Sequence, residues 1–263
     1  MWPVVWQFEV FGKSLTIHAF GTFIVAAFLA AVFYVQRRAN RELGVDKDRV
    51  FNLGFGLLVL GILAGRLLYA LFKYDDFVAR PGSVVYIWEG GLVLYGALIA
   101  GLVFLAWYLP RHPDLGGFAF LDVLATGTAL GLFVGRWASL LSGEAFGVLS
   151  EGFPLALRFP YHPGCVAPHA DPAQPGTAPP LHPTQVYLIL LGLLLFILLL
   201  VYRRRRPMSG RPFALFLMVY AVGRFAIEFV RADWRSEGLE TIRAWMLEAG
   251  GSPRLPDPSG LFV

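Results

Sequence analysis

Three arginines lie within long apolar stretches of the sequence. Arg66, Arg136 and Arg224 are each flanked on both sides by mostly hydrophobic residues. A charged side chain at the centre of a membrane-spanning helix costs at least about 2.5–3.5 kcal/mol, so such residues are retained mainly where they serve a function. A guanidinium group binds phosphate through paired hydrogen bonds. The three arginines therefore predict a site for an anion, and lipid phosphate is the abundant anion in a membrane.

The residues after Arg136 are suited to a ligand site. From residue 135 to 147 the sequence reads GRWASLLSGEAFG, so serine and glutamate side chains follow the arginine near the end of its apolar stretch. The glycines remove side chains where a ligand or another backbone approaches closely. Glycine alone more often serves helix packing, but this order of Gly-Arg and Gly-Glu is more specific. The candidate ligand-binding residues here are Ser139, Ser142, Gly143, Glu144 and Gly147.

A second polar stripe follows Arg224. Glu228 and Arg231 come four and seven residues later, so the three side chains share one helix face. An internal ion pair that neutralises Arg224 during insertion explains Arg224 and Glu228 equally well. Together, however, the buried arginines outnumber the nearby carboxylates, and this excess favours an anion site.

The composition indicates which elements must carry these residues. The chain has 263 residues, of which 57% are hydrophobic and 15% charged, whereas soluble domains have roughly 45–50% apolar and about 25% charged residues. This composition disfavours a soluble or disordered protein. Runs of about 20 apolar residues can cross a ~30 Å hydrocarbon core, and backbone groups must be paired in lipid, so we predict an all-α polytopic transmembrane helix bundle. Its six predicted spans are Thr16–Gln36, Val50–Phe72, Glu89–Leu109, Phe118–Ala138, Pro183–Tyr202 and Pro212–Val230.

The basic residues predict the orientation of the spans. Half of the 22 lysines and arginines lie in the loops after the first, third and fifth spans, including the arginine run at 203–206, and few lie in the opposite short loops. Cytoplasmic loops carry such an excess, so the N-terminus is predicted to lie outside. The net charge of +4 thus reflects topology, and we expect no nucleic-acid partner. The single Cys165 can form no intramolecular disulfide, and no metal site is expected.

The predicted depths place the polar residues in the outer half of the membrane. A helical residue advances about 1.5 Å, which puts Arg66, Arg136 and Arg224 about 24, 27 and 18 Å from the cytoplasmic start of their spans. Asp122, near the cytoplasmic start of the fourth span, is predicted to be solvated or to act as a charge at the helix N-terminus. Three further polar residues lie near the outer start of their own spans, namely Tyr95, His182 and Gln185.

Two segments outside the spans complete the predicted architecture. The loop over residues 141–182 is rich in proline in its second half and should be an irregular, partly extended, extracytoplasmic region. Residues 236–248 place Leu239, Ile242, Trp245 and Met246 on one face and predict an amphipathic helix on the outer membrane surface. We therefore divide the chain into a transmembrane bundle over residues 1–235 and an interfacial helix with its tail over 236–263.

In the order of its motifs the sequence resembles the prolipoprotein diacylglyceryl transferase family. The matching segments run from about residue 18 to residue 231 and read RRANRELG, GRLLYALF, WEGGLVLYGALIAG, GRWASLLSGEAFG, LHPTQVY and GRFAIEFVR. The resemblance implies a bacterial membrane enzyme that moves the diacylglyceryl group of phosphatidylglycerol to the lipobox cysteine thiol of a prolipoprotein and releases glycerol phosphate. It also implies that no cofactor is needed and that the site faces the extracytoplasmic side of the inner membrane.

The resemblance implies roles for individual residues as well. Arg136 and Arg224 match two arginines regarded as essential in the family, Glu144 and Gly147 match its signature, and Arg66, Glu228 and Arg231 match accompanying charged positions. The chain departs from the family at several positions, and Ser139 and Ser142 stand where its signature usually has asparagines. Tyr95 replaces a histidine often proposed as a base, Phe20 replaces a tyrosine, and Leu188 replaces a glutamate. A final spanning helix typical of the family is not expected after residue 250.

Two functional hypotheses follow. In the first, Arg136 and Arg224 stabilise the charge of the departing glycerol phosphate, and Glu144, His182 or Tyr95 relays the thiol proton, with Tyr95 foremost an orienting group. In the alternative, a non-catalytic membrane protein binds anionic phospholipid or lipoprotein signal peptides. The residues expected to bind substrate are Arg66, Ser139, Ser142, Gly143, Gly147, Gln185, Glu228 and Arg231.

Overall fold

The computed structural model describes residues 4–10, 13–74, 93–160, 166–168, 178–205, 210–232 and 236–250. An antiparallel hairpin of β1 (Val4–Val10) and β2 (Lys13–His18) opens the chain, with Phe8 opposite Leu15. The prediction that a helix begins at Thr16 was wrong, because residues 16–18 belong to β2. Its β-branched residues favour a paired strand, and the first helix begins only at Ala19.

The described chain after the hairpin is mainly helical, as predicted. Five helices are long and apolar enough to cross a membrane, the third of them counted through the 3₁₀ turn Leu109–Arg111 that extends it. The next helix has 18 residues but contains Arg211, Arg224 and Glu228, so the count of six spans and their orientation stay predictions. The predicted start of the third span at Glu89 lies outside the described residues. The helices are α1 (Ala19–Leu43), α2 (Lys47–Phe72), α3 (Leu94–Tyr108), α4 (Phe118–Ser142), α5 (Thr184–Arg205), α6 (Arg211–Glu228) and α7 (Ser236–Glu248).

The described residues form two compact units. The first comprises residues 4–31 and 124–250, and the second comprises residues 32–123. In the first unit α4 and α5 touch through their backbones, because a Cβ atom at Gly192 would lie 2.7 Å from the amide nitrogen of Phe133. Helix α6 packs on α5 where Gly223 faces Leu191. This close packing fixes the positions of the three helices that carry most of the candidate site.

The segment that follows α4 is extended. It forms backbone hydrogen bonds with the residues just before α5 and with those just after α6. The amide of Val148 donates to the carbonyl of Val230 at 2.9 Å, and the amide of His182 donates to the carbonyl of Val148 at 2.9 Å. Leu157 and Leu181 exchange two backbone hydrogen bonds. The described parts of the loop are thus partly extended, as predicted. They tie the start of α5 to the end of α6.

Helix α7 has the predicted bounds and covers this paired segment. Ile242 and Met246 are fully buried in a cluster with Phe146, Phe159 and Leu181. At these two positions, therefore, the apolar face that was expected to contact lipid packs against protein. The placement of the helix at a membrane surface stays a prediction, as does a domain boundary at residue 235.

The second unit is organised around α2 and α3. A Cβ atom at Gly96 would lie 2.5 Å from the carbonyl oxygen of Ala64, so these helices also meet through their backbones. At the start of α2, Arg49 forms an ion pair with Asp114 and lies 3.0 Å from Nδ1 of His112. The prediction that Asp122 is solvated was wrong, because its side chain is fully buried in α4.

Candidate functional site

Arg136 lies near the end of α4 and is partly buried. Its guanidinium group is hydrogen bonded to Tyr220 and is repelled by the positive charges of Arg224 and Arg231. No carboxylate of the described residues forms an ion pair with Arg136. The structure thus brings Arg136, Arg224 and Arg231 together. Among the described residues, Arg136 has no negatively charged partner.

Arg224 and Glu228 form the ion pair that their spacing predicts. Arg224 Nη1 donates to Glu228 Oε2, and both side chains are less than a quarter exposed. The other carboxylate oxygen, Oε1, is buried and has no hydrogen-bond partner in the described part of the chain. The ion pair therefore uses only one of the two carboxylate oxygens of Glu228.

The turn that carries Glu144 is held from the first residues of α5. Gly143 and Ala145 both have positive φ values, of 79° and 55°, and the left-handed region is unfavourable for alanine. Thr184 Oγ1 donates to the carbonyl of Ala145, and Gln185 Nε2 donates to the carbonyl of Glu144 at 2.9 Å. These two hydrogen bonds compensate for the strained backbone and fix the Glu144 peptide.

Gly147 is the point where three chain segments converge. It pairs with Arg231 in an antiparallel bridge. A Cβ atom at Gly147 would lie 2.5 Å from the carbonyl oxygen of His182 and 2.9 Å from that of Val230. Only glycine fits between these two carbonyl groups. The prediction that Gly147 allows a close approach is confirmed, and the approaching group is backbone.

The imidazole of His182 is held by two aromatic residues. Its Nδ1 atom lies 3.2 Å from the hydroxyl oxygen of Tyr187, and its ring centroid lies 5.0 Å from that of Phe153. The described residues provide no hydrogen-bond partner for Nε2. His182 therefore has a ring nitrogen available for a substrate proton or a substrate oxygen.

The two serines of the α4 segment are buried beside this turn. Ser142 Oγ donates to the carbonyl of Ser139 at 3.4 Å, and the carbonyl of Ser142 accepts from the amide of Val166 at 3.0 Å. Among the described residues, the Ser142 hydroxyl therefore hydrogen bonds within the last turn of α4. Substrate binding by Ser139, Ser142 and Gly143 stays a prediction.

The remaining predicted site residues, Arg66 and Tyr95, belong to the second unit. The side chain of Arg66 is 6% exposed, and its guanidinium carbon lies 5.5 Å from the ring centroid of Tyr69. Tyr95, in the first turn of α3, is 69% exposed. The α2–α3 backbone contact brings the two residues into neighbouring turns of packed helices, because the amide of Val93 donates to the carbonyl of Gly65 at 3.1 Å.

Sequence reasoning missed three residues that shape the site. Tyr220 contacts Arg136, Thr184 holds the Ala145 turn, and Tyr187 holds the His182 ring. Tyr220 precedes Arg224 by four residues, and this spacing was the one available sign that it shares the arginine face. In the described part of the chain no three histidine, cysteine, aspartate or glutamate side chains come together to hold a metal ion.

Comparisons with known proteins cover nearly the whole chain. A sequence profile described as prolipoprotein diacylglyceryl transferase matches residues 5–250. The chain is 32% identical over 238 residues to the phosphatidylglycerol–prolipoprotein diacylglyceryl transferase of Clostridium tetani, covering 89% of this chain and 87% of that protein. It is 31% identical to the Geobacter sulfurreducens protein of the same name, covering 84% and 80%. The same-named protein of Methylococcus capsulatus is 34% identical, covering 88% and 83%.

Proposed function

Because the chain belongs to the prolipoprotein diacylglyceryl transferase family, we propose that it transfers the diacylglyceryl group of phosphatidylglycerol to the thiol of a lipobox cysteine in prolipoproteins. Relatives at about 30% identity carry both substrates in their names. Five apolar helices identify a membrane protein. Its place would be the bacterial inner membrane, with six spans, an outside N-terminus and a site on the extracytoplasmic side.

The observation that carries this proposal is the charge of Arg136. A partly buried guanidinium that is repelled by two other arginines and has no carboxylate partner among the described residues is costly unless an anion binds there. The phosphate of phosphatidylglycerol is such an anion and accepts paired hydrogen bonds from a guanidinium. Arg136 would bind two oxygens of the phosphate, while Arg224, held in place by Glu228, adds hydrogen-bond donors from α6.

The reaction forms one bond and breaks another. The cysteine sulfur forms a bond to the terminal glyceryl carbon of the diacylglyceryl group, and the bond between that carbon and the phosphate oxygen breaks. Glycerol phosphate leaves with the electron pair. The arginines stabilise the negative charge that grows on its phosphate, an effect that is strong where water is excluded.

The thiol proton must leave before or during the attack, because thiolate is the nucleophile. Glu144 and His182 are the proton acceptors that we propose in the first unit, and the proton ends on the released phosphate or in solvent. Nε2 of His182 suits this role, since Tyr187 holds the other ring nitrogen. We also propose that Tyr95 and Arg66 contact the substrate.

A turnover assay tests this function. The purified protein is incubated with vesicles of phosphatidylglycerol and a lipobox peptide, and mass spectrometry detects the thioether-linked diacylglyceryl peptide. We expect product with the cysteine peptide and none with a peptide carrying serine in its place. Absence of product while a characterised family member is active in the same vesicles rejects the proposal.

A second candidate is a non-catalytic protein that binds anionic phospholipid or lipoprotein signal peptides. Tyr95 favours it, because a phenol is a poor base at neutral pH and stands where the family has a histidine. This candidate predicts that phosphatidylglycerol binds and is recovered intact from the same assay.

A further inference from the structure

Two side-chain oxygens of the first unit are buried without a hydrogen-bond partner in the described part of the chain. They are Oε1 of Gln185, a residue that is fully buried, and Oε1 of Glu228. Leaving a buried acceptor unpaired costs much of its desolvation free energy, so buried polar groups in native proteins are nearly always paired. The two oxygens therefore indicate a ligand that donates hydrogen bonds.

The two oxygens belong to the same end of the first unit. Gln185 stands in the first turn of α5, one turn before Leu188, and Glu228 is the last residue of α6, next to Ile227. Leu188, Ile227 and Ala145 belong to one core cluster. Gln185 thus contacts the turn that carries Glu144, and Glu228 ends the helix whose following residues pair with the segment after that turn.

Each oxygen is held by a hydrogen bond made by the other polar atom of its side chain. Nε2 of Gln185 donates to the Glu144 carbonyl, and Oε2 of Glu228 accepts from Arg224. An amide or carboxylate fixed in this way keeps its second oxygen directed at one place, so the two acceptors are preorganised for a partner.

The charges around the site restrict that partner to a neutral donor. Arg136 is repelled by both Arg224 and Arg231, and Glu228 offsets only one of these three positive charges. An ammonium group would be repelled by this field, whereas hydroxyl groups would not. A ligand with an anionic phosphate and neutral hydroxyls fits both the arginines and the acceptors.

We infer that Gln185 and Glu228 select the lipid headgroup by accepting hydrogen bonds from its two glycerol hydroxyls through their Oε1 atoms. The inference rests on the proposed function, since the glycerol phosphate belongs to the lipid substrate. Selection acts on the headgroup and not on the phosphate, because the arginines bind phosphate whatever alcohol it carries. Headgroups without hydroxyl groups leave the two acceptors buried and unpaired.

The test compares two anionic lipids with identical acyl chains. Phosphatidylpropanol has the same charge as phosphatidylglycerol and lacks both headgroup hydroxyls. We expect kcat/KM for the unmodified protein to be at least about 100-fold higher with phosphatidylglycerol, because sites built to bind a substrate hydroxyl reject analogues that lack it. Equal rates with the two lipids overturn the inference. Absence of product from both lipids instead contradicts the proposed function.

A substitution assigns the selection to Gln185. Gln185→Met keeps the length of the side chain and removes the acceptor together with the donor to the Glu144 carbonyl. Loss of the donor affects both lipids alike, so we expect loss of the acceptor to lower the ratio between the two lipids at least about tenfold. The matched control is Gln36→Met, since Gln36 also donates Nε2 to a backbone carbonyl, that of Lys47, at 3.0 Å. We expect the control to keep the full ratio. An unchanged ratio in active Gln185→Met contradicts the assignment, and if that variant fails to fold, the comparison of the two lipids with the unmodified protein still decides.

Discussion

Arg49 in the second unit and Arg136 in the first both belong to long apolar helices, but their counter-charges differ. Arg49 pairs with Asp114 and contacts His112, so its charge is neutralised within the protein. Arg136 contacts Tyr220 and is repelled by two arginines, and no described carboxylate pairs with it. An arginine neutralised internally needs no ligand, whereas Arg136 leaves a positive charge for one to neutralise.

The largest effect is expected from Arg136→Gln. Losing one preorganised donor to a developing charge lowers kcat by roughly 10²–10³-fold, and the turnover assay with phosphatidylglycerol and lipobox peptide measures this loss. Thermal stability should stay the same or rise, because the substitution relieves repulsion from Arg224 and Arg231. Activity within twofold of the unmodified protein would remove Arg136 from the mechanism.

Gly147→Ala is expected to have the next largest effect. The new Cβ would collide with the carbonyl oxygens of His182 and Val230, and overpacking of this kind costs about 1–3 kcal/mol of stability. Thermal unfolding in detergent measures the cost, and turnover should fall with it because His182 and Arg231 are displaced. The control is Gly21→Ala, where no atom lies within 4 Å of the added Cβ. Equal melting temperatures for the two variants contradict the packing at Gly147.

A smaller effect is expected from Tyr220→Phe. The substitution keeps the ring and removes the hydroxyl that contacts Arg136. Hydrogen bonds to charged groups contribute about 1.5–3 kcal/mol, so activity should fall by about tenfold or more. The matched control is Tyr202→Phe near the C-terminal end of α5, which should retain full activity. A Tyr220→Phe variant as active as its control would show that Arg136 is oriented by other groups.

The smallest effect is expected from Arg49→Ala. Ion pairs that are as exposed as Arg49 and Asp114 contribute about 0–1 kcal/mol, so stability should change little. Turnover should stay within about twofold, because the charge of Arg49 is neutralised inside the protein. A loss of turnover as large as that of Arg136→Gln would contradict the claim that Arg49 is neutralised inside the protein whereas Arg136 binds an anion.

The helices could be predicted from the sequence because the length of an apolar run is a local property. The run at residues 118–138 predicted α4, and the apolar face at 236–248 predicted the bounds of α7. The hairpin was missed because Ile17 adjoins the apolar residues of α1, so the predicted helix was extended into the strand. Asp122 was misjudged because its burial depends on tertiary packing, which a single sequence does not contain.

The contacts of the candidate site could be predicted where they depend on residue spacing within one helix. They could not be predicted where they depend on pairing between segments far apart in the sequence. The spacing of Arg224 and Glu228 predicted their contact. The pairing of residues 146–148 with both His182 and Val230 joins segments far apart in the chain, and no local pattern specifies it. For the same reason the sequence could not show that the backbone carbonyl groups of two distant segments contact Gly147. Nor could it show that Thr184 and Gln185 hold the Glu144 turn.

The central claim is that the counter-anion of Arg136 is a lipid phosphate, and lipid retention measures this most directly. The unmodified protein, Arg136→Gln and Arg49→Ala are purified from nanodiscs of phosphatidylglycerol, and native mass spectrometry counts the lipids that each retains. We predict that the unmodified protein and Arg49→Ala retain bound phosphatidylglycerol and that Arg136→Gln loses it. Equal retention by all three proteins would contradict the account.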